Sequence, residues 1–91
     1  MSNQPDISRV DPVQEKREMF IQVYEKYRHS IFNYIFYRVG DTDLADDLTS
    51  DVFVRLVDKY DEEARESRPI APWLYAIARN LVIDHHRRAG L

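Results

Sequence analysis

Four polar side chains near the C-terminal end of this chain, Arg79, Asn80, Arg87 and Arg88, have the types and spacing to meet a nucleic acid. Guanidinium groups bind phosphates through charge-assisted hydrogen bonds. An asparagine amide can read an adenine edge with two bonds. All four stand in residues 71–88, a stretch that opens with an aromatic anchor, Trp73, and closes in the basic cluster His85, His86, Arg87 and Arg88. At helical spacing one face of that stretch is apolar and suits a core, while the other presents the four polar groups. Plainer readings stand beside this one. Arg87 and Arg88 also suit a solvated helix end, and Asn80 also suits a bond to a neighbouring loop backbone. An asparagine inside a helix costs helix propensity, so it is expected to hydrogen-bond something. Tyr75 beside these cations is a candidate for stacking on an unpaired base, an interaction worth roughly 1–3 kcal/mol. Tyr24, Tyr27, Tyr34 and Trp73 read as core.

Other chemistries find little support. His85 and His86 are adjacent, so on a helix their side chains diverge by roughly 100° and do not converge on one metal. His29 is remote, and neither a His-x-x-x-His nor a Glu-x-x-His pair occurs. The carboxylates have no serine–histidine partner that would make a nucleophile and base, and no glycine-rich phosphate loop exists. The expectation is a protein with no catalytic residue, no metal site and no cofactor.

Ninety-one residues make one small domain. The apolar share of 44% supplies a core, and only two glycines, Gly40 and Gly90, favour a few long helices over many short strands. There is no cysteine, hence no disulfide framework or thiolate site. No apolar run approaches the roughly 20 residues of a membrane span, and the first ten residues lack a signal-peptide core. A soluble cytoplasmic protein is expected. The net charge of −3 is unevenly spread: residues 1–40 carry 6 basic and 5 acidic side chains, residues 41–68 carry 4 and 10, and residues 69–91 carry 3 and 1. An acidic middle followed by a basic end suits two partners of opposite demand, although charge runs also serve solubility alone.

Three elements must position these groups. Asp11-Pro12-Val13-Gln14 is a helix start, with Asp11 as cap, Pro12 in the first helical position and Gln14 able to close a capping box. Apolar residues recur at Phe20, Val23, Tyr24, Tyr27, Ile31, Tyr34, Ile35 and Val39, and Gly40 is a natural stop. From Ile31 to Val39 the helix is apolar nearly all round, which predicts burial on more than one side. The helix would run for about 27 residues, or roughly 40 Å. A second helix is capped near Asp41-Thr42-Asp43. Leu44, Leu48, Val52 and Leu56, with Tyr60 as a further member, form its inward stripe, widened by Phe53 and Val57. Asp47, Ser50, Asp51, Val54 and Asp58 lie on other faces. Residues 61–68 form a charged connector. Pro69 and Pro72 introduce a third helix whose inward stripe is Leu74, Ile77, Ala78, Leu81 and His85. The predicted fold is all-α, a compact bundle of a long first helix, an acidic second helix and a basic-ended third. Residues 1–11 are read as a flexible tail and residues 12–91 as the domain.

Residues 72–88 closely resemble the segment of extracytoplasmic-function (ECF) sigma factors that faces the −10 promoter element. Residues 43–56 resemble that family's polymerase-binding helix, and residues 20–40 the helix before it. Three motifs in order cover roughly residues 18–90. The resemblance implies a sigma factor region 2 domain, in which the acidic helix docks on the clamp helices of the β′ subunit of core RNA polymerase. Carried onto this chain, Asp47, Ser50, Asp51 and Arg55 become the polymerase-contacting candidates. It implies further that the connector and third helix engage the non-template single strand of the −10 element as it melts, capturing a flipped base. The candidates for that interaction are Arg68 in the connector with Tyr75, Arg79, Asn80, Arg87 and Arg88. An anti-sigma factor is an implied additional partner.

Two departures stand out. Ser50 and Asp51 occupy positions where the family usually has a glutamine and a glutamate. The family also continues into a helix-turn-helix domain that reads the −35 element, so a domain fragment or truncated form is expected here, binding promoters poorly alone. Two competing readings remain: a pure protein-interaction module whose basic end is inert, and a homo-oligomeric bundle joined through the apolar stretch from Ile31 to Val39.

Overall fold

The computed structural model describes residues 12–59 and 69–90. It contains three α-helices: α1 Pro12–Val39, α2 Thr42–Lys59 and α3 Ile70–Arg88. The described residues include no strand, and each helix packs against the other two. The all-α bundle predicted from periodicity is the fold observed. The expected tail, residues 1–11, and the whole connector, residues 61–68, lie outside the described residues, and with them Asp11, Tyr60 and Arg68.

At 28 residues α1 is the longest element. Pro12 takes its first position, where a missing N–H costs nothing. Gln14 donates from Nε2 to the Glu18 carboxylate at 3.5 Å; the box expected between Gln14 and Asp11 falls on a residue outside the described ones. The helix ends at Gly40, whose φ of +72° is the left-handed conformation that stops a helix and disfavours a Cβ. The Gly40 N–H donates to the Phe36 carbonyl at 2.8 Å. Asp41 then starts α2 at once. Its side-chain Oδ1 accepts from the Leu44 N–H at 2.9 Å, and its backbone carbonyl accepts from the Ala45 N–H at 2.9 Å. Among the three cap candidates at this junction, Asp41 makes the bond. A turn of two residues leaves α1 and α2 side by side.

The core takes Ile31 and Ile35 from α1, Ala45, Leu48, Val52, Phe53 and Leu56 from α2, and Leu74, Ile77, Ala78, Leu81 and Val82 from α3. Burial of each large member stabilises by about 1.5–3 kcal/mol. Thr49 is buried with them, and its hydroxyl donates to the Ala45 carbonyl at 2.6 Å, which satisfies it. Several expectations shift. Leu44 and His85 are only half-buried, Val57 is exposed, and Ala45, Thr49 and Val82 take core positions that the inward stripes omitted. Trp73, Tyr27 and Tyr34 are half-buried against the core, whereas Tyr24 lies nearer the surface. The stretch from Ile31 to Val39 buries Ile31 and Ile35 fully, half-buries Phe32, Phe36 and Val39, and leaves Tyr37 81% exposed. That last value separates the stretch from a helix buried all round.

Pro69 precedes α3 in an extended conformation, φ −59° and ψ 137°, and so marks its start. At the other end the Ala89 N–H donates to the His85 carbonyl at 3.0 Å, and Gly90 turns left-handed at φ +77°. The basic residues thus occupy the last turn, where cations offset the negative helix end.

Candidate nucleic-acid interface

Helical geometry, at 100° per residue, sorts α3 into two sides. Leu74, Ile77, Ala78, Leu81 and Val82 face the core. Pro72, Ala76, Arg79, Asn80, Ile83 and Arg87 are all exposed and fall on the opposite side. The structure therefore brings Arg79, Asn80 and Arg87 together on one stripe about two turns long, with Ile83 between them. Arg88 is exposed too, but lies about 100° round the helix from Arg87. Tyr75 sits on the flank, one turn before Arg79. It is half-buried, and its ring meets that of Tyr34 in α1 edge to face, centroids 5.3 Å apart at 74°. One side of the Tyr75 ring is thus occupied within the bundle.

The same geometry places Asp43, Asp47, Ser50, Asp51, Val54 and Asp58 on one exposed side of α2, opposite the buried Ala45, Val52 and Leu56. Arg55 is exposed but lies on the flank of that stripe. The stripe is not purely polar. Val54 stands in its middle, 57% exposed. Beside it a cleft of about 330 Å³ opens between α1 and α2, lined by Phe20, Tyr24, Ser50, Phe53, Val54, Val57 and Asp58. An acidic side with an apolar centre and an adjoining cleft suits a partner helix carrying basic and apolar groups.

The described residues hold no group of three or more histidine, cysteine or carboxylate side chains able to take a metal. The half-buried His85 and His86 rings meet edge to face, centroids 5.6 Å apart at 70°. No helix among the described residues is long and apolar enough to cross a membrane.

Comparison with known proteins supplies a family. The family profile described as Sigma-70 region 2 matches residues 23–91, covering most of α1 and all of α2 and α3. The chain belongs to the Sigma-70 region 2 family. Its curated relatives place it with the ECF type. It is 39% identical over 70 residues to the ECF RNA polymerase sigma factor BldN of Streptomyces coelicolor, an alignment covering 77% of this chain and 26% of that protein. It is 33% identical over 72 residues to the ECF RNA polymerase sigma factor SigX of Bacillus subtilis, covering 78% of this chain and 36% of SigX. It is 29% identical over 70 residues to SigM of the same organism, covering 74% and 40%. The region 2 chain thus spans between about a quarter and two fifths of the length of these relatives. No solved structure matches it.

Sequence reasoning missed one residue of this region 2 surface. Arg38, in the last turn of α1, places its guanidinium carbon 3.6 Å from the Tyr34 ring centroid. The sole signal in the sequence is the spacing of Tyr34 and Arg38, four apart on one helix face.

Proposed function

We propose that this region 2 domain acts in transcription initiation, binding core RNA polymerase through α2 and recognising the −10 promoter element through α3. Its role is non-enzymatic and its setting cytoplasmic. One observation carries the reading. In a chain of the Sigma-70 region 2 family, two adjacent helices present exposed stripes of opposite chemistry, acidic with Val54 at its centre on α2 and cationic with Asn80 and Ile83 on α3. Asp47, Ser50 and Asp51 are the groups that would meet the β′ clamp helices, with Arg55 at the margin. Arg79 and Arg87 would take phosphates, Arg88 would extend that grip beyond the stripe, and Asn80 would read a base edge. Tyr75 would offer its remaining ring edge to an unstacked base, and Arg68 would act from the connector. Few phosphate interactions are needed when single-stranded DNA is the ligand and polymerase supplies the remaining affinity. An anti-sigma factor would compete for the same exposed faces.

The test is titration of the chain against an isolated β′ clamp-helix fragment, with Asp47→Arg/Asp51→Arg as control. Saturable binding that the double variant loses is the expected result. A folded chain that leaves a folded fragment unbound would refute the polymerase assignment.

A further inference from the structure

The nucleic-acid face assigned to α3 has a neighbour on α1. Arg38 is exposed, and its guanidinium lies flat enough on Tyr34 to bring Cζ within 3.6 Å of the ring centroid. An Nη of Arg38 also donates to the Tyr34 carbonyl at 2.9 Å. Tyr34 in turn meets Tyr75, and Tyr75 stands one turn before Arg79 on α3. Two exposed guanidinium groups, one from each helix, therefore flank a pair of half-buried tyrosine rings. Cations interleaved with aromatic rings are the surface that single-stranded nucleic acids bind.

We propose that Arg38, held on the Tyr34 ring, binds a backbone phosphate of single-stranded nucleic acid as part of the same surface as Tyr75 and Arg79. The proposal rests on the reading of α3 as a nucleic-acid face. The bond to the Tyr34 carbonyl uses a single one of the five guanidinium donors, so the planar fork retains donors for phosphate oxygens. The ring packing and the carbonyl bond together fix the plane of the side chain, so little rotamer freedom disappears when a ligand arrives. Arg38 also suits a purely local role, closing the C-terminal turn of α1 against its dipole. That role predicts no response to nucleic acid, and salt dependence separates the two.

The experiment is a fluorescence anisotropy titration of the chain with a labelled single-stranded oligonucleotide at several salt concentrations. Wild type is compared with Arg38→Gln, Arg38→Lys and an α3 control, Arg79→Gln/Arg87→Gln. On a single strand, each phosphate that the protein no longer neutralises lowers the slope of log K against log salt by about 0.7. Arg38→Gln is expected to bind roughly threefold to tenfold more weakly at low salt and to show about that reduction in slope. Arg38→Lys should keep the slope and bind more weakly, because an ammonium lacks the planar fork. Thermal melts verify folding, and if Arg38→Gln does not fold, Arg38→Lys decides: wild-type affinity in that variant overturns the proposal. Arg38→Gln with wild-type affinity and slope, beside an α3 control that no longer binds, overturns the Arg38 assignment and leaves the α3 face standing. An α3 control indistinguishable from wild type, or no binding by wild type even at the lowest salt, where phosphate interactions are strongest, overturns both.

Discussion

Tyr24 and Phe53 meet edge to face, ring centroids 5.0 Å apart at 73°, and this packing sets which side of α2 is turned outward. Phe53 is 2% exposed and also takes Phe20 edge-on at 6.4 Å. With Phe53 anchored against α1, helical geometry carries Asp47 and Asp51 to the far side of α2. Phe53→Ala is expected to destabilise the domain by about 3–5 kcal/mol, the usual cost of emptying a large aromatic site. Urea denaturation measures it. A loss below about 1 kcal/mol would mean that the aromatic cluster does not anchor α2.

Charge reversal on the outer side of α2 should behave in the opposite way. Asp47 and Asp51 are exposed, and substitutions at exposed positions away from caps and cores usually change stability by less than about 0.5 kcal/mol. Asp47→Arg/Asp51→Arg should therefore melt close to wild type while failing to bind a clamp-helix fragment. Adding salt should weaken wild-type binding, since exposed complementary charges are screened within about 10 Å at 0.1 M. A double variant that unfolds would instead place these carboxylates in the stability of the bundle.

The α1–α2 junction tests backbone chemistry alone. A Cβ built on Gly40 meets nothing within 4 Å, so Gly40→Ala encounters no steric neighbour. Its cost comes from the φ of +72°, which an L-residue side chain disfavours by roughly 1–2 kcal/mol. Asp41→Ala removes the bond to the Leu44 N–H and should cost about 1 kcal/mol. For a domain this size each kcal/mol lowers Tm by roughly 4–8 °C. The two residues are adjacent, so a thermal-melt double-mutant cycle should show non-additivity. Additive losses would mean that cap and turn act independently.

Much of this arrangement was legible in the sequence because it follows from periodicity and from two glycines. Leu48, Val52, Leu56, Leu74, Ile77, Ala78 and Leu81 recur at helical spacing and are buried, and Gly40 stops α1 as its chemistry requires. The omissions have physical causes. Ala45 and Thr49 escape the periodic pattern because a small and a polar side chain carry little hydrophobic signal. Thr49 is buried only because its hydroxyl finds the Ala45 carbonyl, a bond invisible in composition. Val82 joins the inner side of α3 at its margin, whereas His85 points the same way as Leu74 and Leu81 but stands in the last turn of the helix and is only half-buried. The ring ladder from Arg38 through Tyr34 to Tyr75 was out of reach for a different reason. Its decisive step joins residues of α1 and α3 that only the packed bundle brings together.

Asn80 offers a test in which the sign of the result matters more than its size. It is exposed on the side of α3 that carries Arg79 and Arg87, and two roles suit an asparagine there. A base reader contributes nothing to the free fold, so Asn80→Ala should leave stability unchanged or raise it by about 0.5 kcal/mol, alanine being the better helix former. The same variant should lose discrimination between oligonucleotides with and without the recognised adenine, a preference worth roughly 1–3 kcal/mol. An asparagine that instead caps a neighbouring loop supports the fold, and its removal should cost about 1 kcal/mol with base preference intact. Thermal melts and competition binding on one preparation give both numbers. Stability retained while the preference disappears assigns Asn80 to base reading, whereas the reverse pair returns it to the fold and leaves Arg79 and Arg87 to act on phosphates alone.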